Sequence, residues 1–441
     1  VLSNIKNVFK IEDLRNKILF LLAMILVYRL GVAIRVPGID PFAVESFKQA
    51  AESQGALGFL NLFSGGAFAS FSIFALGIMP YITASIIMQV LGVVIPKLEK
   101  LQQEGAVGQR KITQYTRYLA IAIALLQATA LTFIFGTGNG SGFFGAATNV
   151  PQGLKLLPDG MWPRGYLVII TLVAGTALLM WIGELITQRG IGNGMSMLIF
   201  ASVVSHLPAG FANLWDTQFA FWAMLVISLL IVVAVVRVEL GQRRIPVQFA
   251  KRVVGRRMYG GQNTYIPLKV NQSGVVPIIF ASSVLLLPVL LANLLGSASE
   301  GSWRFQIQEW VTENLVNSQS LIYITLFAVM IIAFAYFYNS IAFDPIRQAD
   351  QIRRQGGFIP GVRPGPQTER YLAKVLNRIT LPGALFVAAI AILPYIVLYL
   401  FNVRNFPFAG TTVLIAVGVA LELMRQIDSQ LMLRNYEGFL K

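Results

Sequence analysis

No cysteine occurs in the 441 residues, and histidine occurs once, at His206. The first absence excludes disulfides, thiolate-held iron–sulfur clusters and thiol nucleophiles, and leaves the redox compartment unread. The second excludes a zinc-binding HExxH helix, which needs two histidines on one face. Charge is scarce as well. Only 12% of the residues are Asp, Glu, Lys or Arg, against about 25% in a soluble domain. A soluble fold of this length would need a charged exterior that this chain cannot supply. The phosphate-cradling GxxxxGK[ST] loop and the GxSxG elbow are also missing. Ser64 in "FSGG" and His206 make a faint Ser–His pairing, but Ser64 and Gly66 are better explained as backbone-permissive residues in a broken helix. The expectation is therefore a non-enzyme with no cofactor and no metal site.

What is present is apolar. Hydrophobic residues make up 56% of the chain, gathered in runs of about 20, the length that spans a bilayer as a helix. The fold class expected is an all-α polytopic membrane protein. Ten spans are predicted: Ile18–Ile34, Ile73–Ile95, Tyr118–Gly136, Tyr166–Ile186, Met195–Leu207, Phe219–Val236, Gly274–Leu295, Leu321–Phe343, Thr380–Phe401 and Thr411–Met424. Val1 to Lys17 reads as a short amphipathic stretch rather than a cleavable signal.

The net charge of +15 is distributed unevenly. Of the 35 Lys and Arg, 28 fall in the N-terminus, the even-numbered loops and the C-terminus, and 6 in the odd-numbered loops. By the positive-inside rule both termini are expected in the cytoplasm, which agrees with an even number of spans. Two cytoplasmic loops are long and rich in turn residues. Gly241 to Val270 has two alternating segments around a turn near Gly255, a β-hairpin pattern. Phe343 to Arg378 has a basic helix (Ile346 to Gln355), a Gly/Pro bend and a second basic helix from Thr368. Orientation alone does not need such loops. A structured basic surface suits a large anionic or acidic partner.

Inside the spans, ionisable residues are few: Arg29, Glu184, Arg237, Glu422 and His206. Most lie near a predicted end, where they can snorkel or meet interfacial water. Their scarcity counts against an ion-coupled transporter. Uncharged polar residues (Thr83, Ser85 and Gln89 on the second span, Ser282 and Ser283 on the seventh) fit interhelical hydrogen bonding. Asn61 to Gly92, "NLFSGGAFASFSIFALGIMPYITASIIMQVLG", divides in two. Residues 57–69 are too short to span and too glycine-rich for a rigid helix. A full helix is expected from Ser72.

Six segments together resemble one family: "FSIFALGIMPYITASIIMQ" (Phe71 to Gln89), "TQRGIGNGMS" (Thr187 to Ser196), "QRRIPVQFAKR" (Gln242 to Arg252), "YIPLKVN" (Tyr265 to Asn271), "GFIPGVRPG" (Gly357 to Gly365) and "QLMLRNYEG" (Gln430 to Gly438). They are similar, in order and spacing and nearly end to end, to bacterial SecY of the SecY/Sec61-alpha family, the channel subunits of protein-conducting translocons. The resemblance implies two pseudo-symmetric inverted halves, residues 1–208 and 209–441, around a central hourglass pore. It implies a re-entrant plug over residues 57–69, cytoplasmic loops over 239–272 and 344–378, and a lateral gate between the second and seventh spans. Polypeptides would cross the pore, or leave it sideways into lipid. The setting implied is the bacterial cytoplasmic (inner) membrane.

Carried over residue by residue, the resemblance implies a pore ring of Ile78, Ile82, Met195, Ile199, Ile279 and Ile415. Ile78/Ile82 and Met195/Ile199 are i,i+4 pairs, each on one helical face. A narrow apolar ring dewets and blocks ions. Met195, where a branched aliphatic is usual, softens it. The plug would contain Asn61, Phe63, Ser64, Gly65 and Gly66. The lateral gate would use Thr83, Gln89, Asn271 and Ser282. Motor and ribosome docking would fall to Arg243, Arg256, Arg257 and Arg363, whose planar forks suit carboxylate or phosphate. The partners implied are SecE- and SecG-type small membrane subunits, the SecA ATPase, the ribosome through its RNA and proteins, preprotein signal sequences, a YidC-type insertase, SecDF and anionic lipids. The alternative is an inverted-repeat secondary transporter of a small solute. It would need a charged or ion-coordinating cluster at mid-membrane.

Overall fold

The computed structural model describes residues 11–51, 61–136, 157, 164–205, 218–249, 252–254, 257–259, 264–294, 303–316, 320–401 and 410–439. Most of these residues are helical. The first half contains α1 (Glu12–Ala33), α2 (Pro41–Ala51), α3 (Met79–Val94), α4 (Pro96–Gln103), α5 (Ala106–Gly136), α6 (Arg164–Arg189) and α7 (Gly194–Val204). The second contains α8 (Gln218–Leu240), α9 (Val276–Leu294), α10 (Trp303–Val311, running into a π-helical turn Thr312–Val316), α11 (Leu321–Ala342), α12 (Pro345–Arg354), α13 (Pro366–Phe401) and α14 (Gly410–Phe439).

Among the described residues, five helical stretches are long and apolar enough to cross a membrane: α1, Val107–Phe133, α6, Leu321–Arg354 and Pro366–Leu393. Met79–Gly92 and Pro96–Gln102, bent by 104°, make a sixth if counted as one span. The bend has a local cause. Pro96 starts α4, and Ile95 before it is held extended at φ −99°, ψ 112°, the conformation that a following proline favours. Large apolar side chains remain exposed along one stripe of α1, at Leu19, Leu22, Leu26 and Leu30, as befits a helix facing hydrocarbon.

The helices outrun the predicted spans where their ends turn polar. α5 begins at Ala106 rather than Tyr118. α13 joins the predicted second basic helix and the ninth span in one 36-residue rod. α14 runs 30 residues, through Glu422, Arg425 and Asp428. Hydropathy marks where the lipid stops, and backbone hydrogen bonding does not stop there. α7, with 11 residues, is about 16 Å long at 1.5 Å per residue, short of a roughly 30 Å hydrocarbon core.

The expected full helix from Ser72 is corrected. α3 starts at Met79, with Pro80 in its first turn and Ile78 as its N-cap. Residues 61–64 form one helical turn, and a chain of tight turns fills 65–78. Three glycines permit it, with Gly65, Gly66 and Gly77 at φ of 70°, 89° and 57°, values costly for side-chain-bearing residues. A bridge from Arg35 to Ser72 ties this segment to the exit of α1.

The two largest apolar cores among the described residues fall in different halves of the chain. One gathers α1, segment 61–78, α3, α5, α6 and α7, with Leu21, Tyr28, Phe74, Ala120, Leu179 and Leu198 among its buried members. The other gathers α8, α9, α11, α13 and α14, around Val235, Ile278, Ile331, Val387 and Leu414.

The two long loops form a single small body. β1 (Gln242–Phe249) pairs antiparallel with β4 (Thr264–Lys269), and β2 (Arg252–Val254) pairs with β3 (Arg257–Tyr259) at the tip. β1 also pairs with β5 (Gly357–Phe358) from the other loop, so the sheet order is β4-β1-β5. Beneath it Ile245, Val247, Leu268, Ile352, Ile359, Leu372 and Leu376 bury one apolar cluster.

Candidate functional site

A third apolar cluster lies between the two cores. Phe63, Met79, Ile86, Val203, Ile279 and Ile415 are its buried members, with Ile82, Ile199, Phe280 and Val419 packed against them. Segment 61–78, α3, α7, α9 and α14 each contribute. Four of the six proposed ring residues, Ile82, Ile199, Ile279 and Ile415, thus meet around Phe63, which is 1% exposed. Ile78 and Met195 belong instead to the adjoining first core. Ile78 caps α3 rather than lying on its face. Met195, in the first turn of α7, presses its sulfur into the space that Gly183 leaves by having no side chain. The i,i+4 argument therefore places only the second residue of each pair at the centre. Met79, Ile86 and Val203 join the cluster without having been foreseen. Ile86 and Val203 lie four residues beyond Ile82 and Ile199 on the same helices, a signal present in the sequence.

The backbone of segment 61–78 is bonded partly by its own side chains and partly by α1 and the residues that follow it. The Asn61 side-chain oxygen accepts from Ala69 N at 3.1 Å. The Ser64 hydroxyl donates to Asn61 O and accepts from Phe68 N, both at 3.0 Å. The Tyr28 hydroxyl donates to Ser64 O at 2.9 Å. Irregular backbone at membrane depth survives only when protein supplies such partners. Asn61 and Ser64 thus have a local fastening task beyond loosening a helix. Residues 57–60 of the expected plug lie outside the described residues.

Arg29 does not snorkel as its place near a span end suggested. Its guanidinium turns inward and donates to Gly65 O at 3.1 Å and Ala201 O at 3.2 Å. Glu184 accepts both arms of the Arg117 fork, joining α6 to α5. An unmatched charge in an apolar run is the sequence signal for both. His206 lies outside the described residues.

Met79, Ile82 and Ile86 of α3 share the third cluster with Ile279 and Phe280 of α9. The polar residues expected at a lateral gate between these helices have the following surroundings. Gln89 is exposed and reaches Ser85 on its own helix, at 3.5 Å. Ser282 donates to Ile278 O and Ile279 O of its own turn. Asn271 donates to Glu239 Oε1 at 2.7 Å, at the end of α8, and to Gly274 O. Thr83 is half-buried on α3. A serine on a helix satisfies its hydroxyl most cheaply on the preceding turn, so the expectation of interhelical bonds fails at Ser282.

On the loop body, Arg243 is exposed on β1 opposite Leu268. Arg363 is exposed two residues after Gly361 (φ 79°), in a bend fastened by Thr368 Oγ1 donating to Arg363 O at 3.0 Å. Arg257 lies on β3, and Arg256 falls outside the described residues. Arg347 of α12 reaches Glu99 of α4 at 3.2 Å, a tie between the two halves of the chain.

The comparisons agree with this geometry. The chain is 48% identical to the protein translocase subunit SecY of Streptomyces galbus, over the full length of both. Among solved structures, it is similar to a SecY whose plug domain stabilises the closed state of the translocation channel, with a TM-score of 0.60, 20% identity and coverage of 94% of this chain and 91% of that one. It is also similar to Sec61 in the canine ribosome-channel complex from the endoplasmic reticulum, with a TM-score of 0.54, 18% identity and the same coverage. None of these relatives is a solute transporter, and that alternative finds no support. The SecY family model matches residues 72–424, and with a relative of such identity along its whole length the chain belongs to the SecY family.

Proposed function

We propose that the chain is the channel subunit of a protein translocon, passing unfolded polypeptides across the bacterial cytoplasmic membrane and releasing apolar segments sideways into lipid. The observation that carries this reading is the meeting of Phe63 with Ile82, Ile199, Ile279 and Ile415 in one buried cluster between two separate cores. A constriction of aliphatic side chains from several helices excludes ions by dewetting and yields to a passing chain. The finer architecture belongs to the same reading: ten spans, inverted halves at 1–208 and 209–441, both termini cytoplasmic, a plug over 57–69, and a gate that parts between α3 and α9. Ile78 and Met195 back the ring from the first core. The chain supplies a path and no catalysis. Energy comes from the SecA motor or a translating ribosome, engaged at the loop body through Arg243, Arg256, Arg257 and Arg363, with SecE- and SecG-type subunits alongside.

The test is reconstitution with a SecE-type subunit and the SecA motor in vesicles, scored by protection of a preprotein from added protease. ATP-dependent protection is expected. Vesicles that leave the preprotein wholly accessible, with motor and substrate shown active on another translocon, overturn the reading.

A further inference from the structure

We infer that Arg29 is the latch that holds the plug segment shut. This rests on the plug reading of residues 57–69, of which 61–69 are described, and assigns its closed position to one side chain. Arg29 sits half-buried near the C-terminal end of α1, beside an aromatic ring that its guanidinium approaches to 5.9 Å (Tyr28). One arm, Nη1, donates to Gly65 O in the plug, and the other, Nη2, donates to Ala201 O in α7. A single cation thereby joins three elements.

Each acceptor suits the task. Ala201 lies in the last turn of α7, which ends at Val204; its carbonyl accepts from Ser205 N at 3.3 Å and has a second lone pair for Arg29, at a helix end that carries partial negative charge. Gly65 is left-handed at φ 70°. A side chain there would meet the Tyr28 hydroxyl and Ser202, so the glycine lets the plug lie directly on α1 and α7. The Tyr28 hydroxyl holds the adjacent Ser64 carbonyl at 2.9 Å. Hydrogen bonds from a charged donor are about twice as strong as neutral ones. Both acceptors are main-chain carbonyls in different elements. When the plug leaves, Arg29 loses Gly65 and keeps Ala201, so the guanidinium stays aimed at the vacated position and can recapture the returning segment. Closure is thereby reversible, and the fork geometry of arginine is required because two acceptors in different directions are held at once.

The experiment is ion leak through the resting complete translocon in vesicles, with and without deletion of Leu57 to Ala67, and with folded protein matched by gel filtration. Arg29→Gln is expected to raise the leak several-fold in the intact chain. Arg29→Lys, which keeps the charge without the fork, is expected to fall between. In the deletion background, leak is expected to be high and the same within twofold whether residue 29 is Arg, Lys or Gln. A tight Arg29→Gln beside a leaky deletion overturns the latch alone. Extra leak from Arg29→Gln or Arg29→Lys in the deletion background also overturns it, since the effect would not act through the plug. A deletion that seals as well as the intact chain overturns the plug reading and the latch with it. If Arg29→Gln does not fold, Arg29→Lys decides by the same comparisons.

Discussion

Gly31 and Gly175 set how closely the turns at 73–74 can lie on their helices. A Cβ on Gly31 would enter the Phe74 ring, and one on Gly175 would strike the Ile73 carbonyl. The second obstacle is backbone and cannot rotate away. Gly175→Ala is therefore expected to destabilise the protein by about 1–3 kcal/mol, the usual cost of overpacking, read as a lower midpoint on heating in detergent. An unchanged midpoint would mean that segment 61–78 does not rest on α6. The Arg117–Glu184 pair obeys a different rule. Arg117→Met alone leaves Glu184, 20% exposed, without its cation. The double variant with Glu184→Met removes both charges. Arg117 is 41% exposed and Glu184 is the shielded half; leaving a shielded carboxylate without its cation costs more than removing both charges, so the single variant is expected to melt below the double one. The reverse order would show that Arg117 is screened by solvent. The isolated charges Arg29 and Glu184 were legible in the sequence, and the close approaches at Gly31 and Gly175 were not foreseen, because nothing in a glycine's neighbours along the chain names the group that will approach it.

The elements were most legible where a period repeats. The hairpin expected between Gly241 and Val270 is there as β1 and β4, since alternation predicts pairing without knowledge of the rest. That β1 also pairs with β5, about a hundred residues further on, had no local signal: β5 is two residues long. This pairing makes the two loops one body with a shared core. Leu372 is fully buried in that core. Leu372→Ala is expected to cost about 2–5 kcal/mol, concentrated in the loop body, so that limited proteolysis cuts within 241–270 and 343–365 while the membrane helices persist. Uniform resistance would refute a separately cooperative body. Arg363→Glu, on the surface of the same body, is expected to leave that cleavage pattern unchanged and to reduce motor-driven export. Normal export would remove Arg363 from the docking surface.

Across the whole molecule, the two halves of the chain meet at the third cluster, where Val419 and Leu423 of α14 pack against the first core, and at the exposed Glu99–Arg347 tie. Exposed pairs of this kind contribute only about 0.2–1 kcal/mol. In the proposed gate, α3 and α9 meet through the apolar side chains of the third cluster, and the seam would close on those contacts. An entering apolar segment can replace those contacts with its own, because hydrophobic contact is non-directional. Since the chain lacks cysteine, an introduced pair, one residue in 79–86 and one in 275–282 with Cα atoms about 6 Å apart, reports the seam without background. Oxidation is expected to stop export and reduction to restore it. Export at full rate through the oxidised form would mean that the chain passes without parting this seam.

Composition and hydropathy are enough to make this a helical membrane protein. Transfer free energies accumulate along apolar runs, and a 12% share of charge cannot clothe a soluble fold. The six motif segments of the sequence also pointed to the family that the comparisons show. Which residues meet in the third cluster depended on how the helices pack together. An i,i+4 spacing names a helix face and not the helix opposite, so Ile82 and Ile199 reached the central cluster while Ile78 and Met195 did not. The same packing decided that Arg29 faces inward. The groups that hold it are main-chain carbonyls, which every residue possesses and which no side-chain pattern can announce.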